Sequence, residues 1–404
     1  MNIKTKSKIG ILASCFCAMS YLTFAPVVAS MAASFPEVSL SLVQMVVTLP
    51  SLMFIVVSPL SGTLMRRFAK KKLALLAVAL YFISAVFGYV FQENFYLVLL
   101  GSAIMGCGTG LLMPVTNALI CDQFEGTERS SMMGLNATFV AVGGLTFTFL
   151  SGQLAKYGWQ NCYFVFFLIL PLLLTIYLFL PREERCVGDE GGSSPNKGEY
   201  PDAVNDPDAG ALKAAAAGRP EMNPYIVALF VIGFLYFCLQ NAFNTNASVY
   251  VEELSLGGAS TAGLVSMMNP LGGILGGVIF GLLAAKLGDQ IETVALSIAG
   301  LGFLLAGGLP SAASILVSGL LVGIAFALFN AAGTFLLAKH LKPENNDITV
   351  AIYMAVVNLG AAVSPYVVNF LAGFAGGSSA VKFLLCGAGL ILCCAVSFFI
   401  GKKR

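Results

Sequence analysis

Three amide side chains, Gln240, Asn241 and Asn244, fall within five residues of an otherwise apolar stretch, "VALFVIGFLYFCLQNAFNTNASVYV". An amide carries two donors and an acceptor, which suits hydroxyl, carbonyl or amide groups on a small molecule. On a helix Gln240 and Asn244, four residues apart, share a face. Tyr236 and Asn246 add to the same stretch. Neutral polar residues recur in other apolar stretches: Ser20, Tyr21 and Thr23; Thr109, Thr116 and Asn117; Asn136; Asn269; Asn330; Tyr353 and Asn358. The competing use of such groups is to tie helices together inside a bilayer, at about 0.6–2 kcal/mol each. For a lone Asn the two uses are evenly matched. For the cluster around Asn241, contact with a ligand is preferred.

No ionisable residue shares these stretches. The chain has one histidine, His340, and no phosphate-binding loop, G-x-S-x-G motif or metal-ligand spacing. An enzyme is not expected, nor a cofactor or a bound metal. The ten cysteines lie mostly within apolar runs and read as small buried residues.

The elements that must position these groups follow from composition. Of the 404 residues 58% are hydrophobic and 10% charged, against about 25% charged in a soluble domain. So little charge cannot cover a water-facing surface, and the expectation is an all-α integral membrane protein. A spanning helix needs about 20 mainly apolar residues. Such stretches occur near 9–33, 42–65, 73–91, 95–121, 131–154 and 160–181. Six more lie near 224–247, 261–285, 293–309, 313–338, 348–373 and 379–400. None alternates as a barrel strand would. Two six-helix halves, 1–181 and 224–404, therefore flank a flexible segment, 182–223, rich in Gly, Pro, Ser, Asp and Glu. The N-terminus imitates a signal peptide, but its apolar run continues to about Ala33, and it reads as a retained first helix.

Placing the N-terminus in the cytoplasm puts twenty of the 22 Lys and Arg residues on that side and leaves only Lys156 and Lys382 outside. This obeys the positive-inside rule. Both termini, the segment 182–223 and the knot Arg66, Arg67, Lys70, Lys71 and Lys72 are then cytoplasmic, in a cytoplasmic (inner) membrane. All acids fall on loops or helix ends. Asp122, near Arg129 in sequence, is the candidate for a titrating pair involved in coupling.

The loops after the second and eighth stretches repeat. "SGTLMRRFAKKK" and "FGLLAAKLGDQ" share Gly-x-Leu and a basic residue five after the Gly, Gly62 with Arg67 and Gly281 with Lys286, at an offset of 219 residues. Repeated halves are expected where a substrate binds between them. The loops, with "GCGTG" at Gly106–Gly110, "YGW" at Tyr157–Trp159 and "NPLGGILGGVIFG", resemble the major facilitator superfamily. In this resemblance Gly62, Arg66, Arg67, Lys71, Gly281 and Lys286 are the gating loops, although Arg66 replaces the family's acid and Ala69 its second Gly. The antiporter motif is incomplete, with Phe147 and Thr148 in place of Gly-Pro.

The resemblance implies twelve helices in two pseudo-symmetric halves, with the first, fourth, seventh and tenth lining a central cavity. Tyr21, Thr23, Thr116, Asn117, Tyr236, Gln240, Asn241, Asn244, Asn330 and Asn358 are then the cavity candidates. The function expected is transport of a small neutral or weakly charged organic solute by alternating access. A monomer in the lipid bilayer, with H+ or Na+ as a candidate coupling ion and no nucleic-acid partner, completes the expectation. One alternative is a proton-coupled efflux pump for amphipathic compounds, with Phe24, Tyr236 and Phe243 as cavity aromatics. Another is a non-transporting sensor that retains the fold. A channel is disfavoured by the two-half repeat and the lack of a charged ring.

Overall fold

The computed structural model describes residues 3–124, 126–180, 223–340 and 343–402. Twelve helices are long and apolar enough to cross a membrane. In chain order α1 is Thr5–Ser34, α2 Leu40–Arg67, α3 Lys70–Val90, α4 Phe95–Gln123, α5 Gly126–Leu154 and α6 Trp159–Phe179. The second set is α7 Pro224–Glu253, α8 Ala259–Leu287, α9 Ile291–Gly308, α10 Ala312–His340, α11 Pro343–Gly373 and α12 Ser379–Lys402. No strand occurs among the described residues. Helices satisfy every backbone group within the segment, which hydrocarbon demands. Asn side chains start two of them: Asn94 accepts from Tyr96 N at α4, and Asn223 from Tyr225 N at α7, where Pro224 follows. The expected segment 182–223 lies, except for Asn223, outside the described residues.

The apolar core divides with the chain. One cluster is built from residues of α1–α6 with Val249, and two smaller ones from α7–α12. The halves meet where α2 packs on α11, α5 on α8, and α1 on α7 and α8. At one such crossing Gly152 faces Gly263, and a Cβ on either would run into the other backbone.

Proline does not break these helices as a rule. α2 continues through Pro50 and Pro59, α4 through Pro114, α8 through Pro270 and α11 through Pro365. The interruptions lie elsewhere. α1 narrows to a 3-10 helix over Ser20–Val27, which holds Pro26. α6 starts as a 3-10 helix over Trp159–Leu168. α7 breaks at Asn241, between α-helical segments Pro224–Gln240 and Ala242–Glu253.

Candidate functional site

With twelve spans, the start of α1 and the end of α12 fall on one face of the bundle, called here the terminal face; the opposite one is the distal face. The break in α7 comes midway between them. Around it the amides form a chain. Asn241 Nδ2 donates to Ala361 O of α11 at 2.9 Å. Asn244 Nδ2 donates to Asn241 Oδ1 at 3.3 Å, and Asn269 Nδ2 of α8 donates to Asn244 Oδ1 at 2.9 Å. Asn241 and Asn244 remain half-buried. Gln240, which shares the sequence face of Asn244, is buried one residue before the break. Tyr236 stacks on Phe329 of α10, with centroids 3.8 Å apart and planes 13° apart, and its hydroxyl is buried without a hydrogen-bond partner.

The remaining candidates divide. Thr23 donates to Ser20 O at 2.6 Å and Thr116 to Leu112 O at 2.8 Å, both within their own helices. Asn358 does the same with Met354 O at 2.8 Å. The hydroxyl protons of the two threonines and one of the two amide protons of Asn358 are thus committed to backbone carbonyls. Tyr21 and Asn330 are half-buried. Asn117 is exposed and accepts from Asn136 of α5 at 2.9 Å. Phe24 packs on Tyr163 and Phe166, and Phe243 on Phe303 and Phe383, so both are core residues of their halves. Phe24, Phe243 and Tyr236, the aromatics named for the efflux-pump alternative, are all buried.

The two repeated loops, expected to gate, lie on the terminal face. Gly62 and Gly281 have open space where a Cβ would go, and Arg67 and Lys286 are exposed. Lys71 Nζ bonds Leu180 O and lies 5.5 Å over the Tyr177 ring, fastening the loop to the end of α6 in the same half. Asp122 pairs with Lys70 at the start of α3. The side chains of Arg66 and Arg129 lie outside the described residues. Lys8 and Glu128 form a further ion pair at 2.7 Å, again within the first half.

Among the described residues, a cluster of hydrogen bonds joins the halves at the distal end. Gln44 of α2 donates to Thr245 O at 3.0 Å and to Asn246 Oδ1 at 2.8 Å. Asn369 of α11 donates to Gln44 Oε1 at 2.6 Å and to Ser41 Oγ at 2.9 Å. Thr48 donates to Ala362 O at 3.3 Å, Ala29 N to Ser248 Oγ at 3.3 Å, and Gln153 to Ser260 Oγ at 3.1 Å. The distal mouth is therefore shut by polar contacts as well as by glycine packing.

Sequence reasoning missed this seam. Gln44 stands alone in "LSLVQMVVTL", and its signal was a single amide on an apolar helix with no partner nearby in the chain. Lys382, assigned to the outer side as an ordinary topological charge, is 3% exposed on the first turn of α12 and donates to Asn246 Oδ1 at 3.2 Å. Its long stem lets it turn from the membrane edge into the protein. Glu292, at the start of α9, is likewise buried rather than on a solvated loop.

Comparison with known proteins fits this architecture. The sequence profile of the Major Facilitator Superfamily matches residues 10–300 and 229–404. The chain belongs to that superfamily. It is 25% identical over 342 residues to putative glycerol-3-phosphate transporter 1 of Arabidopsis thaliana, covering 76% of this chain and 65% of that protein. It is 23% identical over 311 residues to the glucose-6-phosphate exchanger SLC37A2 of Mus musculus, covering 68% and 62%. This superfamily member thus spans less than two thirds of the length of these relatives. A solved structure of a bacterial homologue of the human lysosomal transporter Spinster, inward-facing and unoccupied, matches with TM-score 0.76 at 15% identity, over 99% of this chain and 97% of that one. The protein is a multi-pass membrane protein of a transporter family.

Proposed function

We propose that this superfamily member moves a small neutral or weakly charged organic solute across the cytoplasmic membrane by alternating access, as a monomer and without enzymatic chemistry. The observation that carries the reading is the amide chain from Ala361 O through Asn241 and Asn244 to Asn269, at mid-depth and at a break in α7. A helix break frees backbone groups for a ligand where the bundle must also bend. Amide donors and acceptors match hydroxyl or carbonyl groups, and the Tyr236 hydroxyl is buried nearby without a partner.

Two relatives are named for phosphate esters. A phosphate dianion is held best by Arg or Lys through charge-assisted bonds. The α7 break offers neither, so the preferred cargo is a polyhydroxylated or amide-bearing solute rather than a phosphate ester.

With the terminal face assigned to the cytoplasm, the closed distal mouth corresponds to an inward-facing resting state. H+ and Na+ are the candidate coupling ions. Counterflow in proteoliposomes tests the function: vesicles preloaded with unlabelled solute should take up the labelled solute, and Asn244→Ala should slow this at least tenfold. Collapsing the proton and sodium gradients one at a time then names the coupling ion. Correctly inserted protein that carries no solute from a broad panel would favour the sensor alternative.

A further inference from the structure

The distal seam contains a buried ammonium, that of Lys382. Asn246 is 0% exposed, and its Nδ2 is held by Ala242 O at 3.1 Å and Thr245 Oγ1 at 3.1 Å. That fixes Oδ1 as an acceptor, and it receives two donors, one from each half: Gln44 Nε2 at 2.8 Å and Lys382 Nζ at 3.2 Å. Gln44, itself 0% exposed, is held on its other side by Asn369. Separating the halves breaks the Gln44 bonds. It leaves the Lys382–Asn246 bond intact, because α7 and α12 belong to the same half and are tied by Ser379 N to Glu253 Oε2 at 2.8 Å.

The two donors therefore push the seam in opposite directions. The uncharged Gln44 bonds hold it shut. The ammonium of Lys382 is buried against one amide oxygen, with the Glu253 carboxylate near enough for its charge to act on it. A buried ammonium with so few partners gains most from water. Water reaches it when the distal mouth opens. Asn369 Oδ1 adds to the same tendency, being buried without a partner in the closed seam.

We propose that Gln44, Asn246 and Asn369 form a latch across the two halves, and that the buried charge of Lys382 opposes it and keeps the distal mouth able to open. Lys382 is thus a positioning residue for the transport cycle, and it need not touch the solute. The idea rests on the alternating-access reading, but its test needs no solute, so the two can fail separately.

Hydrogen–deuterium exchange on the full chain in nanodiscs reads both faces at once. Gln44→Leu should open the seam, shifting the equilibrium about tenfold. Exchange then rises at the distal ends of α2, α7 and α11 and falls at the terminal ends of α4 and α10. Lys382→Met, which keeps the stem and removes the charge, should do the reverse on both faces. Lys382→Arg should match the wild-type protein. A variant that merely loosens the fold raises exchange on both faces; if Lys382→Met does that, leaves exchange unchanged or opens the distal face, the charge does not oppose the latch. Should Gln44→Leu also damage folding, Ser41→Ala, which removes one acceptor of Asn369, gives a milder opening of the same sign. No distal change in either variant would overturn the latch.

Discussion

α1 and α7 hold equivalent places in the two halves, and both lose regular α-helical structure at the same point. At the 219-residue offset of the loop repeat, Asn241 corresponds to Leu22, inside the 3-10 stretch of α1. Each is crossed closely by a partner helix: a Cβ at Gly143 of α5 would run into Phe16 O of α1, and one at Gly360 of α11 into Phe234 O of α7. The chemistry at the two breaks differs. In α1 the loosened backbone is served within its own half, where Ser151 of α5 donates to Thr23 O at 2.6 Å and Phe24 sits in an aromatic core. In α7 the break carries amides that reach α8 and α11, and its distal part reaches α2 across the seam. One bend is packed dry and the other is furnished for hydrogen bonding. On the proposed reading, the two breaks divide stability from recognition.

That division can be attacked by substitution. The largest effects should be alike in both halves. Gly143→Ala and Gly360→Ala both force a methyl against backbone, and overpacking of this kind costs about 1–3 kcal/mol. Each should lower the unfolding temperature by several degrees; a large drop for one only would mean that the halves are not packed equivalently. Next come Asn241→Ala and Asn244→Ala. These should cut solute flux at least tenfold, at a stability cost of only about 1 kcal/mol for each hydrogen bond lost. A loss of stability with flux retained would reduce the amides to ties between helices. Ser151→Ala should be smallest, costing about 1 kcal/mol for the lost bond to Thr23 O. It should alter neither apparent affinity nor solute preference, and a change in either would extend the binding region into α1.

The spans themselves were legible because a bilayer imposes a length and forbids unsatisfied backbone. The expected stretch 224–247 and the observed Pro224–Glu253 differ only at the distal end, where polar residues such as Asn246 and Ser248 are buried at the seam and their hydropathy misleads. The breaks were not legible. Proline is the usual cause of a bend in a helix, yet α2 runs through two prolines, while α7 breaks at Asn241, where no proline stands. Neighbouring helices decide which backbone groups are freed, and their identity is a property of the assembled bundle. Of the candidate site, the amide cluster was visible as an anomaly of polarity. Thr23, Thr116 and Asn358 looked equivalent to it, and only the hydrogen bonds to their own helices separate them. Gln44 and Lys382 gave no local pattern, since the partners that explain them lie 202 and 136 residues away.

The account turns on an uncharged ligand held by the α7 amides, and ligand-induced thermal stabilisation measures that directly, since binding to the folded form raises its apparent stability. The purified protein should be titrated with neutral sugars, polyols and amides beside their phosphate esters. The account predicts that a neutral solute raises the unfolding temperature in a saturable way, that its phosphate ester does not, and that Asn244→Ala abolishes the shift. Saturable stabilisation by glycerol-3-phosphate or glucose-6-phosphate alone, unaffected by Asn244→Ala, would contradict it.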